Sequence, residues 1–82
     1  MDESVILGRV VRALRLEKEM SQFEVCTRSG LNLSYYCKIE RGEANPSVKK
    51  LYAILRALDV SPIQFIDLTM LELEFFLIQP AV

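Results

Sequence analysis

Apolar residues recur along the chain at the spacing of helices that are buried on one side. Leu7, Val11 and Leu14 stand at positions i, i+4 and i+7 of a predicted first helix over residues 3–19. No alternation of apolar and polar residues within 1–66 indicates a strand. A later helix has the broadest apolar face, made by Val48, Leu51, Ile54, Leu55 and Leu58. The pattern therefore predicts an all-α fold of five short helices.

Helix-start residues place the other helices. Ser21 and Glu24 form an S-x-x-E capping box at the start of a second helix, and the next glycine along the chain suits a left-handed exit from it. Asn32 is the predicted N-cap of the third helix. Ser47 and Ser61, each beside a proline, begin the fourth and fifth helices in the same way.

The C-terminal segment, residues 67–82, has a pattern that fits either a helix or a strand. As a strand, every second residue from Leu71 to Leu77 is apolar. A helix is favoured because a lone strand would leave its backbone groups unpaired. The helix places four apolar side chains on one stripe: Leu68, Leu71, Phe75 and Ile78. Since five short helices already close a core, we expect this stripe to be a homodimer interface.

The composition excludes several classes of protein and several kinds of catalytic and metal site. No apolar run reaches the ~18 residues of a membrane span, and the start MDESVIL lacks the basic region of a signal peptide. We therefore expect a cytoplasmic chain with no membrane partner, in which the cysteines are free thiols. The lack of histidine excludes histidine-based triads and most zinc sites. We expect no enzymatic activity, metal, cofactor or small-molecule ligand.

Charges are segregated along the chain, although the net charge is only −1. All ten Lys and Arg residues lie between Arg9 and Arg56, where five acids leave a net charge of +5. The remaining residues carry six acids and no base. A basic middle with acidic ends indicates one face for nucleic acid and a separate surface for another role.

Residues 21–42 combine two short helices with a tight glycine-containing turn, which is the geometry of a helix-turn-helix. Residues 6–66 resemble the Cro/CI-type helix-turn-helix family through R-x(5)-S-Q-x(2)-V, G-L-x(7)-I-E-R-G, N-P-S and L-x(6)-L-x-V-S. The resemblance implies a lambda-repressor-like fold in which 1–66 bind DNA and 67–82 serve dimerisation, within the same compact domain. The small size also resembles the controller proteins of restriction–modification systems.

The resemblance further implies roles for the residues at matching positions. Base-contacting positions are occupied by Leu33, Ser34 and Lys38. Backbone-contacting positions are occupied by Gln22, Tyr35, Arg41 and Asn45. A partly buried ion pair that ties the first helix to the third joins Arg15 and Glu40. Leu33 stands where a polar residue is usual and offers only apolar contact to a thymine methyl, so hydrogen-bond readout falls on Ser34 and Lys38.

Together these features predict a transcriptional regulator that binds double-stranded DNA sequence-specifically. A homodimer on a pseudo-palindromic operator is expected, with restriction–modification genes as the implied targets. The alternative is an antitoxin-like autoregulator whose tail binds a partner protein. The neighbouring gene discriminates between them, since a restriction enzyme favours the first function and a toxin favours the second.

Overall fold

The computed structural model describes residues 3–78, with side chains as far as residue 74. Its architecture consists of α1 (Glu3–Glu17), α2 (Gln22–Ser29), α3 (Leu33–Glu40), α4 (Val48–Leu58) and α5 (Pro62–Ile78). No strand occurs in this part of the chain. The predicted all-α fold is confirmed, and so is the helical alternative for the C-terminal segment as far as Ile78. None of the helices described is long and apolar enough to cross a membrane.

Side-chain caps begin four of these helices. Ser21 Oγ accepts a hydrogen bond from the Glu24 N–H at 3.0 Å, while Glu24 Oε1 accepts one from the Ser21 N–H at 3.1 Å. Asn32, Ser47 and Ser61 each accept a bond from the backbone N–H three residues further on. These bonds satisfy amide groups that the first helical turn leaves unpaired. The starts of α2 to α5 are therefore set by neighbouring residues.

The hydrophobic core lies between the first four helices and the beginning of α5. α2 packs against α3 and α4, whereas α1 packs against α3 and α5. The largest fully buried side chains are Ile6, Val11, Leu14, Val25, Tyr36, Ile39, Ile54 and Leu58. Full burial of one such aliphatic side chain stabilises a fold by about 1.5–3 kcal/mol, so this cluster holds α1 to α4 together.

Gly8 lies where α1 crosses the end of α3. A Cβ at this position would overlap the carbonyl oxygens of Ile39 and Glu40, the second at 2.7 Å. Glycine inside a helix costs about 1 kcal/mol relative to alanine, but here it lets the two backbones approach closely. Gly8, which lowers the intrinsic stability of α1, therefore allows α1 to pack closely against the end of α3.

Two expectations about α1 and α4 are wrong in detail. α1 ends at Glu17 rather than at residue 19, because the backbone of Glu19 is left-handed with φ 56°. Val48 is 81% exposed, although the apolar pattern predicts it on the buried face of α4. It is the first residue of α4, whose fully buried side chains begin only at Ile54. The first turn of α4 thus extends past the core.

Candidate nucleic-acid interface

α2 and α3 form the helix-turn-helix, and a tight turn fixes the angle between them. α2 ends at Ser29, and the N–H of Gly30 donates to the Cys26 carbonyl at 2.9 Å. Gly30 has φ 75°, a left-handed conformation in which a Cβ is disfavoured. Asn32 then caps α3. Only residues 30–32 separate the two helices, so neither can move far relative to the other.

The two sides of α3 differ in burial. Tyr36 and Ile39 are fully buried. Ser34 and Lys38, four residues apart, lie exposed on the opposite side, whereas Leu33, three residues before Tyr36, is 43% exposed in the first turn. A helix with one side in the core and the other in solvent can enter a major groove. The structure therefore brings Ser34 and Lys38 to one accessible side of α3, with Leu33 exposed at its N-terminal end.

A buried hydrogen-bonded cluster, called here the internal network, joins α1, α2 and α3 behind that side. The Nε of Arg15 lies 2.7 Å from Oε2 of Glu40, and its Nη2 lies 3.1 Å from Oε1. The Nη1 of Arg15 donates to the Met20 carbonyl at 3.0 Å. The two predicted partners thus form a bidentate pair that fixes α1 to the end of α3. The internal network consists of Arg15, Gln22, Cys37 and Glu40, with the Tyr36 hydroxyl in polar contact with Glu40.

Gln22 is held on both ends of its side-chain amide by this network. Its Nε2 donates to Glu40 Oε1 at 3.1 Å, and its Oε1 accepts from the Cys37 Sγ at 3.4 Å. Both partners belong to α3, so the spacing of residues in the sequence could not reveal them. The side chain predicted to contact a phosphate is therefore already oriented by α3.

Burial and polar contacts shift the pKa values of Glu40, Arg15 and Tyr36. Burial alone would raise the pKa of Glu40, but Arg15, then Tyr36 and Gln22, stabilise the carboxylate enough to lower that pKa. The hydrogen bond to Glu40 raises the pKa of Arg15. Burial, followed by Glu40, raises the pKa of Tyr36. The Tyr36 hydroxyl has no hydrogen bond of regular geometry among the described residues, so its approach to Glu40 is a polar contact only.

The outer edge of α3, together with the adjoining loop and α4, carries Tyr35, Lys38, Arg41, Glu43 and Lys50. Arg41 donates from Nε to Oε2 of Glu43 at 3.0 Å, and its Nη2 lies 3.0 Å from the same oxygen. The Nζ of Lys50 lies 4.6 Å from the centre of the Tyr35 ring. Asn45 is exposed in the loop. Of the predicted backbone-contacting residues at the outer edge, Tyr35 contacts Lys50 and Arg41 pairs with Glu43. Gln22 is instead held within the internal network.

The two described side chains of the predicted dimer stripe on α5, Leu68 and Leu71, lie in different environments. Leu68 is half-buried and packs against the core, whereas Leu71 is 61% exposed. The side chains of Phe75 and Ile78 lie outside the described residues. A second exposed apolar surface spans α4 and α5, and Val48 is the member of it that the apolar pattern predicts on a buried face. This α4–α5 patch consists of Val48, Tyr52, Ile63, Ile66 and Met70.

Known proteins are similar to this chain in sequence. Residues 11–65 match the model of a helix-turn-helix family. The chain is 39% identical over 69 residues to the HTH-type transcriptional regulator y4dJ of Sinorhizobium fredii, with 84% of this chain and 90% of that protein covered. It is 36% identical over 66 residues to the control protein C.BamHI of Bacillus amyloliquefaciens, with 79% and 82% covered.

The same fold occurs in a solved structure, the restriction–modification controller protein C.Esp1396I. That protein is 30% identical and superposes with a TM-score of 0.86, over 90% of this chain and 97% of its own. C.Esp1396I has also been solved bound to a 25 base pair operator site, and as a tetramer with its natural 35 base pair operator. The likeness thus extends over nine tenths of this chain rather than over α2 and α3 alone.

Proposed function

Because the chain belongs to the helix-turn-helix family of transcriptional regulators, we propose that it binds a pseudo-palindromic operator sequence-specifically as a homodimer. The observation that carries this proposal is the exposed side of α3, which presents Ser34 and Lys38 while the internal network holds α2 and α3 in place. Likeness to C.BamHI and C.Esp1396I supports restriction–modification genes as the regulated targets. A cytoplasmic location follows, since operator DNA lies there.

In this proposal α3 enters the major groove and reads base edges. The ammonium of Lys38 donates to the O6 and N7 acceptors of guanine, while the Ser34 hydroxyl donates or accepts. Leu33 contributes apolar contact with a thymine methyl. Sequence preference therefore depends most on Lys38, because its bonds distinguish one base pair from the others.

The DNA backbone is held from both sides of α3. Asn45 faces a phosphate from the loop, and Tyr35 and Arg41 do so from the outer edge. Gln22 reaches a phosphate from the start of α2 by exchanging its bonds within the internal network. Such contacts set register without carrying sequence information. The net charge of +5 over residues 9–56 adds a general attraction that weakens as salt rises.

Two copies of α3 reach successive major grooves when they lie about 34 Å apart. A two-fold contact requires a self-complementary apolar surface, and we place it on α5. The α4–α5 patch offers several exposed apolar side chains there, including Ile66 at 55% exposure, whereas Leu71 is the exposed described residue of the predicted stripe. The acids Asp67 and Glu74 of the same helix keep DNA away from this surface.

Selection of bound sequences from random duplex DNA tests the readout. We expect enrichment of two related half-sites with two-fold symmetry, spaced by about one helical turn. A single asymmetric site would contradict the homodimer. No enrichment over the starting pool would contradict sequence-specific binding itself.

Sedimentation equilibrium tests the assembly. Ile66→Glu places a charge in the α4–α5 patch and should shift the dimer towards monomer at micromolar concentration. Leu71→Glu is the matched variant on the predicted stripe. If only Leu71→Glu dissociates the dimer, the stripe rather than the patch forms the interface. A parent chain that stays monomeric at tens of micromolar would rule out both surfaces.

A further inference from the structure

Tyr35 and Lys50 connect the first turns of α3 and α4. Each is the third residue of its helix, and their N–H groups donate to the cap side chains of Asn32 at 3.1 Å and Ser47 at 3.2 Å. The Nζ of Lys50 lies 4.6 Å from the centre of the Tyr35 ring, within the ~6 Å range of a cation–π contact. One ammonium group therefore links two helix N-termini.

This contact leaves the ammonium able to bind an anion. Attraction to a ring face does not occupy an N–H donor in the way that a carboxylate does. Among the described side chains, none forms an ion pair with Lys50. Arg41, on the same edge, differs because Glu43 engages two of its nitrogens. Of Arg41 and Lys50, Lys50 is thus the cation that can bind a phosphate without first losing an ion-pair partner.

We propose that Lys50 binds a phosphate of the DNA backbone and that Tyr35 positions its ammonium for this contact. The inference rests on the proposed function, since it requires DNA along the outer edge of α3. The N-terminus of α4 favours an anion at the same place through its partial positive charge. Lys49, the neighbouring lysine, has no such ring contact among the described side chains, so the structure distinguishes two residues that the sequence does not.

Positioning by the ring makes the phosphate contact stronger. A free lysine samples many rotamers and loses that freedom when it holds a phosphate. The contact with Tyr35 restricts the side chain before DNA arrives, which lowers the entropy lost on binding. Because phosphates carry no base information, Lys50 should strengthen binding to every sequence by the same factor.

The first test measures how affinity for a selected operator duplex falls with salt concentration. Lys50→Ala should reduce the slope of log affinity against log salt by about 0.9, and it should weaken matched and mismatched duplexes equally. Arg56→Ala is the matched control, because Arg56 lies 5.2 Å from the Tyr52 ring on the same helix but at its other end. The control should leave the slope unchanged.

A double-variant comparison tests the role of Tyr35. Tyr35→Leu removes the ring face and keeps an apolar side chain. In this background Lys50→Ala should cost about two- to fivefold less affinity than in the parent, which corresponds to an exposed cation–π contact. Lys50→Arg should retain the parent slope, since guanidinium also binds both the ring and a phosphate.

The outcomes separate this inference from the proposed function. An unchanged slope for Lys50→Ala, in a parent whose binding falls steeply with salt, overturns the phosphate contact. Equal losses on Lys50→Ala in the two backgrounds overturn positioning by Tyr35. A parent that does not bind DNA at all overturns the proposed function instead. Far-ultraviolet circular dichroism should match the parent for every variant, because Lys50 is exposed and Tyr35 is only partly buried.

Discussion

The two arginine–glutamate pairs among the described residues share their chemistry but have opposite surroundings. In Arg15–Glu40 the side chains are 10% and 3% exposed, whereas both side chains of Arg41–Glu43 are 56% exposed. Losing one partner of a buried pair leaves the other charge without water or counter-charge. An exposed pair contributes only about 0–1 kcal/mol. The internal network therefore sets the geometry of the helix-turn-helix, whereas in the proposed function the outer edge exchanges its partners for DNA.

The largest effect should follow from removing Arg15. Arg15→Ala leaves the Glu40 carboxylate buried without its bidentate partner, so the free energy of unfolding should fall by about 3–5 kcal/mol. Arg41→Ala is the matched control at the exposed pair and should change it by no more than about 1 kcal/mol. Urea unfolding followed by circular dichroism measures both.

A double-mutant cycle sharpens this comparison. The double variant Arg15→Met with Glu40→Leu removes both charges and should cost less than the two single changes together. Additive losses would show that the two side chains are not coupled in solution.

Acid should weaken the internal network through Glu40. Its pKa is lowered from the ordinary value of 4.5, so the unfolded chain takes up this proton first as the pH falls. The contribution of the pair is complete above that ordinary value and is lost as the pH falls through the lower pKa of the folded state. The free energy of unfolding of Glu40→Gln should therefore depend less on pH below 4.5 than that of the parent. Parallel curves would contradict the lowered pKa.

Gly8→Ala separates helix propensity from packing. Propensity alone would stabilise α1 by about 1 kcal/mol, but the Cβ would overlap the backbone of Ile39 and Glu40. We expect a net loss of about 1–3 kcal/mol. Ala13→Gly, at an exposed position of the same helix, should show the propensity effect alone. A stabilised Gly8→Ala variant would mean that the two helices separate easily.

The parts of this fold that depend on near neighbours could be predicted from the sequence. The capping box of Ser21 and Glu24 is one example, because its partners lie three residues apart. The exposure of Val48 and the packing role of Gly8 could not be predicted, since both depend on where other helices lie. An apolar pattern shows that a helix has a buried side but not where the core ends along it.

The features of the candidate site also fall into those that could be predicted from the sequence and those that could not. Family resemblance placed Ser34 and Lys38 on a reading helix, and the structure exposes both of them. The contacts of Gln22 with α3 and of Lys50 with Tyr35 join separate helices. No local signal distinguishes these residues from solvated surface residues, because their partners are adjacent only after folding.

Lys38→Ala tests the claim that readout lies on the exposed side of α3. Loss of a good base contact should cost about 1–3 kcal/mol of discrimination at one base pair, with the unfolding free energy changed little. Binding to a panel of duplexes that each differ from the selected site at one base pair measures this. Gln22→Ala is the contrasting variant and should weaken all duplexes alike. A uniform loss for Lys38→Ala would mean that Lys38 contacts the backbone.

Glu43→Gln should produce the smallest effect, and an increase in affinity. In the proposed function Arg41 exchanges the Glu43 carboxylate for a phosphate, so weakening that pair should strengthen binding by less than about 1 kcal/mol. The gain should be larger at low salt, where exposed charges are less screened. Asp67→Asn removes the same charge from an exposed position on α5 and controls for net charge. In an Arg41→Ala background the gain should shrink to that of the control, because no arginine remains to be released. An equal gain from Glu43→Gln and Asp67→Asn in the parent would show that Glu43 acts through general repulsion of DNA, and that the outer edge does not exchange partners.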